Sequence, residues 1–594
     1  MKRNWLKIGA ILLIAPVLLG SLPACAMQPA EPYTLFVYMC GSDLESQRGC
    51  ASQNIAELLQ ADIPDTVTVI LETGGTKSWS DYEIPSDSLN RYEIKDGELC
   101  HLQTLEQASM GDPGTLENFI RWGEEKYPNE HKGLIFWDHG GGSLDGISFD
   151  ENYDYDGLTL DELKKALSAS SGEKWDFIGF DACLMATYET ASLLSSYADT
   201  MVASEENEPA GGWDYKTLAE NVGRDSFYDT LLTAYGEKCR QLGKENFTLS
   251  VVDLRQFSQV QQAFDSFVDS LSQQELASIA RAAGHSLSFG TNSDGSYTNL
   301  IDLADWAGEL GGTELTKAIK QVAKTENGTY RSNAGGLSFY YPLHDMYTVE
   351  EYLPLAGEAY RTFLQENYVS TGGDWIQPTA AEEKDGLLQV TVSPDSVRHI
   401  VSARYQLFRI ETEGYREQVF GMGEDTDVKF DGKNAYTVNF KGNWVTFGGA
   451  YLHVDIGEDT DDYTTFTSPI QVNGQESEMR FVYDKTTRTV KLQGYVPHGE
   501  TVGRIMDFEE GDRITLLYDQ HVDYEENFQE GKTFSYTAGM PLAIASLPEG
   551  YYQYTALFYD VYGKAYQAGT AVTYFDGKTM KIISVSQDTV DLGE

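Results

Sequence analysis

Between residues 33 and 369, short apolar runs alternate with stretches of helical periodicity, and this alternation limits what the 594-residue chain can fold into more than any other feature. The apolar runs fall at 33–38, 67–71, 134–137, 177–180 and 247–252. Amphipathic stretches lie between them, around 55–60, 116–126, 160–168 and 184–197, and a further helical stretch covers 258–283. A strand without polar alternation must be covered on both faces. The repetition therefore predicts an α/β domain, a largely parallel sheet with helices on both faces. Gly336-Leu337-Ser338-Phe339-Tyr340-Tyr341-Pro342 reads as one more strand, closed by proline. From about 387 onward the helical period disappears and β runs dominate, punctuated by Asp431-Gly432, Asn473-Gly474 and Asp576-Gly577. The chain thus divides into a domain at 33–370, a linker at 371–386, and an all-β, sandwich-like region at 387–594 of one or two modules.

Two of the apolar runs end in reactive side chains. Gly133-Leu134-Ile135-Phe136-Trp137 delivers Asp138-His139-Gly140-Gly141-Gly142, and Phe177-Ile178-Gly179-Phe180 delivers Asp181-Ala182-Cys183. Functional groups in open α/β sheets collect beyond the carboxyl ends of the strands. Neighbouring strands lie about 4.8 Å apart, so adjacent strands here would bring imidazole and thiol to one edge. Alone, a cysteine after a strand is usually a buried structural thiol, and a histidine among glycines a turn residue. Together they share an edge and the order His then Cys. Their separation is close to the roughly 50-residue offset of caspase-type enzymes.

The roles follow from chemistry. Cys183 is the candidate nucleophile. A helical pattern begins directly after it, and a helix start would favour its thiolate. His139 can stabilise that thiolate or protonate the departing amine. Glycines at 140–142 allow close backbone approach, making the amides of Gly140 and Cys183 the candidate oxyanion donors. Asp181, two residues before the cysteine, could project into a pocket for Arg or Lys; its alternative is to cap the following helix.

The segments Phe136-Trp137-Asp138-His139-Gly140-Gly141-Gly142 and Gly179-Phe180-Asp181-Ala182-Cys183-Leu184-Met185 resemble the clostripain family, relatives of caspases, gingipains and legumain. Supporting matches are Tyr38-Met39-Cys40-Gly41-Ser42-Asp43-Leu44, Ser204-Glu205-Glu206 and Gly211-Gly212-Trp213. Val252-Asp253-Leu254, Ile301-Asp302-Leu303 and the strand at 336–342 look similar to later family strands. The resemblance covers about 33–369 and implies a caspase-like fold with a cysteine endopeptidase activity that cleaves after basic residues. His139 and Cys183 would form its dyad and Asp181 its acidic pocket residue. Family members often cut themselves after Lys or Arg between the histidine and cysteine strands. Residues 144–163 contain neither, leaving Lys164, Lys165 and Lys174 as the nearest sites.

The N-terminus reads as an export signal. Lys2, Arg3 and Lys7 precede an apolar stretch at 8–22, which leads to Leu22-Pro23-Ala24-Cys25. That end resembles a lipobox, with Cys25 the lipid attachment site of a bacterial lipoprotein and 26–32 a linker; plain cleavage near Ala26 is the alternative. The expected location is extracellular, on the outer face of a membrane. With 43 basic and 92 acidic residues the formal net charge is -49, which repels nucleic acid. The expected partners are proteins or peptides with basic residues, and the membrane through the lipid.

No cofactor is required by this chemistry. Calcium, used by some relatives, has a weak candidate in the acidic stretch 150–157, where the EF-hand register fails because Leu163 stands at the twelfth position. A solvated loop is the simpler reading there and for 455–462. The six cysteines form no C-x-x-C pair, and their pairing cannot be read. Two rival functions remain. A catalytically inactive surface-binding lipoprotein would use the β region. An α/β-hydrolase esterase would use His139-Gly140-Gly141-Gly142 with Gly284-His285-Ser286-Leu287-Ser288, although Ser286 follows a helical run rather than a strand.

Overall fold

The computed structural model describes residues 31–168, 170, 174–290, 298–343, 348–369, 375–413, 416–460, 462–499, 501–522 and 525–587. The expected export signal and Cys25 lie outside them. Nine strands form the main sheet: β1 (Tyr33–Cys40), β2 (Val67–Gly74), β3 (Ser88–Lys95), β4 (Glu98–Glu106), β5 (His131–Trp137), β6 (Trp175–Asp181), β7 (Ala198–Ala203), β8 (Thr248–Asp253) and β9 (Ala323–Asn327). Their order is β9-β8-β7-β6-β5-β1-β2-β3-β4. The five central strands, β2, β1, β5, β6 and β7, are parallel; β3, β4, β8 and β9 add antiparallel margins.

Alternating side chains of the central strands feed two different cores. On β5, Leu134 and Phe136 join one apolar cluster while Ile135 and Trp137 join the other. Both faces are covered, which explains why these strands read as continuous apolar runs. The crossover helices carry their own boundary signals. Pro113–Lys126 starts with Asp112 accepting from the Gly114 N–H and Pro113 in the first turn. Leu160–Leu167 opens with a capping box between Thr159 and Glu162.

The strand expected at 336–342 is present as Ser338–Tyr340, and it pairs with Leu300–Asp302 in a separate three-stranded sheet. One expectation changes. No helix opens at Cys183: residues 182–186 form an irregular turn with Leu184 at φ 64°, and the helix begins at Tyr188 behind a Thr187 cap. Asp181 therefore caps nothing, and the helix-start argument for a thiolate does not apply.

After 375 all regular extended structure is antiparallel, and a strand already forms at Pro378–Lys384. Four sheets share one apolar cluster that runs from Ile376 to Phe575. Two strands matter below: β10 (Thr489–Pro497), at the edge of a six-stranded sheet, and β11 (Arg513–Val522), in its interior. The region rests on the α/β domain through ion pairs. Arg331 bridges Glu206 and Glu458, each at 2.7 Å, and Lys244 Nζ reaches Asp507 at 2.5 Å.

Candidate active site

β5 and β6 pair in parallel with Trp137 opposite Asp181. His139 and Cys183 each follow two residues later, so both emerge at the same level of one sheet edge. Gly140 lies against the cysteine backbone: a Cβ at this position would sit 2.4 Å from the Cys183 carbonyl oxygen. Only glycine fits there. Among the described residues, no hydrogen bond is donated by the Gly140 or Cys183 N–H.

His139 is buried, and its two ring nitrogens face oxygen acceptors. Nε2 lies 2.8 Å from Asp43 Oδ1, and Nδ1 lies 3.1 Å from the carbonyl oxygen of Val502. Both bonds are made at once only by the imidazolium, in which both nitrogens donate. Burial alone would lower the His139 pKa, but the Asp43 carboxylate outweighs it and the net shift is upward. Asp43 is held below its ordinary value in return, its own burial outweighed by His139. Asp138, beside the histidine, is fully buried and pushed up to about 7 by desolvation; it accepts from Ser42 Oγ and the Phe149 N–H, both at 2.5 Å.

Cys183 Sγ accepts from the Glu208 N–H at 3.3 Å and lies 3.8 Å from the Gly503 carbonyl oxygen. Burial pushes the thiol up to about 12, against the lowering influence of Arg504.

Asp181 lines a closed acidic pocket, and Arg504 fills it. The guanidinium Nη1 lies 3.1 Å from Asp181 Oδ1. Nη2 donates to the carbonyl oxygens of Asp138, at 3.0 Å, and Asp181. Asp181 ends β6 and Asp138 directly follows β5, so the sheet edge itself supplies acceptors. The guanidinium also sits 5.2 Å over the Trp137 ring, a cation–π contact. Gly212, at φ 54°, forms the opposite wall, where a Cβ would come within 2.8 Å of both Asp181 and Arg504. Trp213 donates its N–H to Asp181 Oδ2 and its indole N–H to Glu208, both at 3.3 Å. Burial and the neighbouring Asp181 charge hold the Glu208 carboxyl well above its ordinary range.

His139, Cys183, Gly140 and Asp181 thus converge. Four participants were not singled out from sequence: Asp43, Glu208, Trp137 as a pocket wall, and the segment carrying Val502 to Arg504. Asp43 had a local signal, an acidic side chain just past the end of buried β1 on the same sheet edge. Arg504 had none.

The other candidates do not form sites. Ser286 ends a helix and donates to the Ala282 carbonyl, far from an elbow geometry. Asp150 accepts from the N–H groups of Met110 and Asn152, and Asp156 from Ser109. Among the described residues no group of three His, Cys, Asp or Glu side chains could hold a metal ion. Cys40, Cys50, Cys100, Cys183 and Cys239 are unpaired thiols.

A parallel sheet edge that brings together a cysteine, a histidine and a pocket for a cationic side chain defines a cysteine-peptidase type of site. Residues 37–369 match the model of the clostripain family, and the chain belongs to that family. A segment is 29% identical over 161 residues to clostripain of Hathewaya histolytica, spanning 24% of this chain and 30% of that protein. Among solved structures, a secreted C11 cysteine protease from Bacteroides thetaiotaomicron, bound to an irreversible peptide inhibitor, aligns with TM-score 0.45 and 17% identity. It covers 55% of this chain and 98% of that one. An inactive zymogen C11 protease from Parabacteroides distasonis aligns with TM-score 0.42 and 18% identity, over 58% and 98% of the two chains.

Proposed function

We propose that this chain is a cysteine endopeptidase that cleaves peptide bonds after arginine, with Cys183 as nucleophile and His139 as its proton partner. The observation that carries the reading is the arginine side chain seated on Asp181 at the strand ends that deliver His139 and Cys183. In the reaction His139, neutral once the Val502 carbonyl has left Nδ1, takes the proton of Cys183 as Sγ bonds to the scissile carbonyl carbon. The oxyanion is met by the Gly140 and Cys183 N–H groups. His139 then gives the proton to the departing amine as the C–N bond breaks. Water, deprotonated by the same imidazole, hydrolyses the thioester. Asp43 orients the ring and stabilises its charged form.

The pocket also supports arginine over lysine. Two backbone carbonyls, a carboxylate and an aromatic face match a planar fork better than a point charge. The chemistry needs no metal or cofactor. Residues 1–25 support export, with Cys25 as the lipid attachment site of a surface lipoprotein, and protein substrates outside the cell. The second reading, a binding protein without catalysis, has no observation in its favour at this site.

The test uses the chain with Arg504→Ala, so that the pocket is free, alongside the same chain with Cys183→Ala. An arginine acyloxymethyl ketone should attach to Cys183 by peptide mapping, and an arginine fluorogenic peptide should be cut only by the first. Equal hydrolysis by both chains, or attachment elsewhere, sinks the proposal.

A further inference from the structure

The residues that reveal the pocket also shut it. The loop from β10 to β11 sends Thr501–Met506 across the peptidase edge, and every one of these residues is buried. Val502 packs in the α/β core and Met506 in the β core. The backbone is held along its length. Val502 O meets His139, and Gly503 O accepts from Asn207 Nδ2 at 2.8 Å. The Ile505 N–H donates to Glu208 O and the Ala210 N–H to Ile505 O, both at 3.0 Å, as a parallel bridge. Met506 then pairs back with Tyr495 of its own sheet. On the flank, Lys244 Nζ donates to Gln493 O and Asp507, both at 2.5 Å.

The direction of this segment decides its role. Cleavage after an arginine held in the pocket requires that residue's own carbonyl carbon at the sulfur. Here the carbonyl beside Sγ belongs to Gly503, the residue before Arg504. The peptide unit that follows Arg504 is instead tied through the Ile505 N–H to Glu208. The side chain sits as a substrate's would, whereas the carbonyl in contact with the sulfur is that of the preceding residue, Gly503.

We propose that Thr501–Met506 is a built-in inhibitor that is bound without being cut, keeping the intact chain latent until the loop is displaced. This rests on the reading of the site as an arginine-specific peptidase. It adds that the ligand of the resting pocket is the chain's own C-terminal region.

The test measures iodoacetamide alkylation of Cys183 by mass spectrometry, a readout independent of peptide cleavage, together with hydrolysis of the arginine fluorogenic peptide. Three proteins are compared: the full chain, Arg504→Ala, and a chain with 501–506 replaced by a Gly/Ser stretch. Alkylation and hydrolysis should both rise by roughly tenfold or more in the two variants, because the accessible fraction sets the apparent rate. A synthetic Thr-Val-Gly-Arg-Ile-Met peptide should slow alkylation of Arg504→Ala again, which separates release of the segment from misfolding. The parent should remain uncut at Arg504–Ile505 during prolonged incubation. Equal alkylation of all three proteins overturns the proposal, as does timely cleavage of the parent after Arg504. Faster alkylation without hydrolysis keeps the inhibitor and removes the peptidase reading.

Discussion

The α/β half of the molecule presents its reactive groups on the ends of paired strands, whereas the β-rich half presents Arg504 on a loop. His139 and Cys183 inherit their spacing from the β5–β6 ladder, in which Trp137 faces Asp181. Moving one relative to the other means breaking the sheet. Arg504 is held by discrete contacts to Asp181, two carbonyls and a ring, which, on the proposed function, an incoming arginine would replace. Permanent parts of a site belong on the sheet, and replaceable parts belong on a connection.

The sharpest way to break this contrast is at the one carboxylate that both halves share. In an Arg504→Ala background, Asp181→Asn should lower kcat/KM for an arginine peptide by about 10²–10³, the loss expected from leaving a cation without its buried partner. Cleavage after an uncharged residue should change far less, and a substrate library measures the difference. Unaltered arginine preference would detach the pocket from Asp181.

A smaller effect is expected at Asp43. Asp43→Asn should reduce kcat/KM by about tenfold while leaving the fold intact. The sign on the pH axis follows from the upward shift of His139, for which this carboxylate is the main raising influence. Without it the imidazolium loses its proton at lower pH, so the basic limb of the pH–rate profile should move toward acid. An unmoved limb would reduce Asp43 to a structural contact.

The smallest effect concerns the strand ends themselves. Asp138 is buried with its pKa raised to about 7 from an ordinary 3.8. The folded state therefore binds its proton more tightly than the unfolded chain. That contribution is fully present below 3.8 and is lost as pH rises through about 7. The Tm should rise by a few degrees between pH 7 and pH 5, and Asp138→Asn should flatten this slope. A parallel slope in the variant would assign the dependence to other buried acids.

Much of this edge was legible in the sequence because its signals are local. An apolar run that is buried on both faces ends in Asp-His-Gly on β5 and in Asp-Ala-Cys on β6, so the proposed pair follows from the ends of two strands. The helix expected at Cys183 was misread because Leu184 takes a left-handed conformation and delays the helix to Tyr188. Asp43 was visible as a motif residue, but its bond to His139 crosses 96 positions. The Arg504 contact with Asp181 spans 323 positions, and Val-Gly-Arg-Ile looks like any loop between two strands. No period or spacing encodes that meeting; it follows only once both halves have folded and docked.

One consequence follows from where Arg504 sits along the chain. A ribosome completes the family-matched domain, which ends at residue 369, about 135 residues before it reaches Arg504. At about 5–20 residues per second the two moments are separated by roughly 7–27 s. The sheet edge that carries His139 and Cys183 can therefore be complete while Arg504 is still unmade.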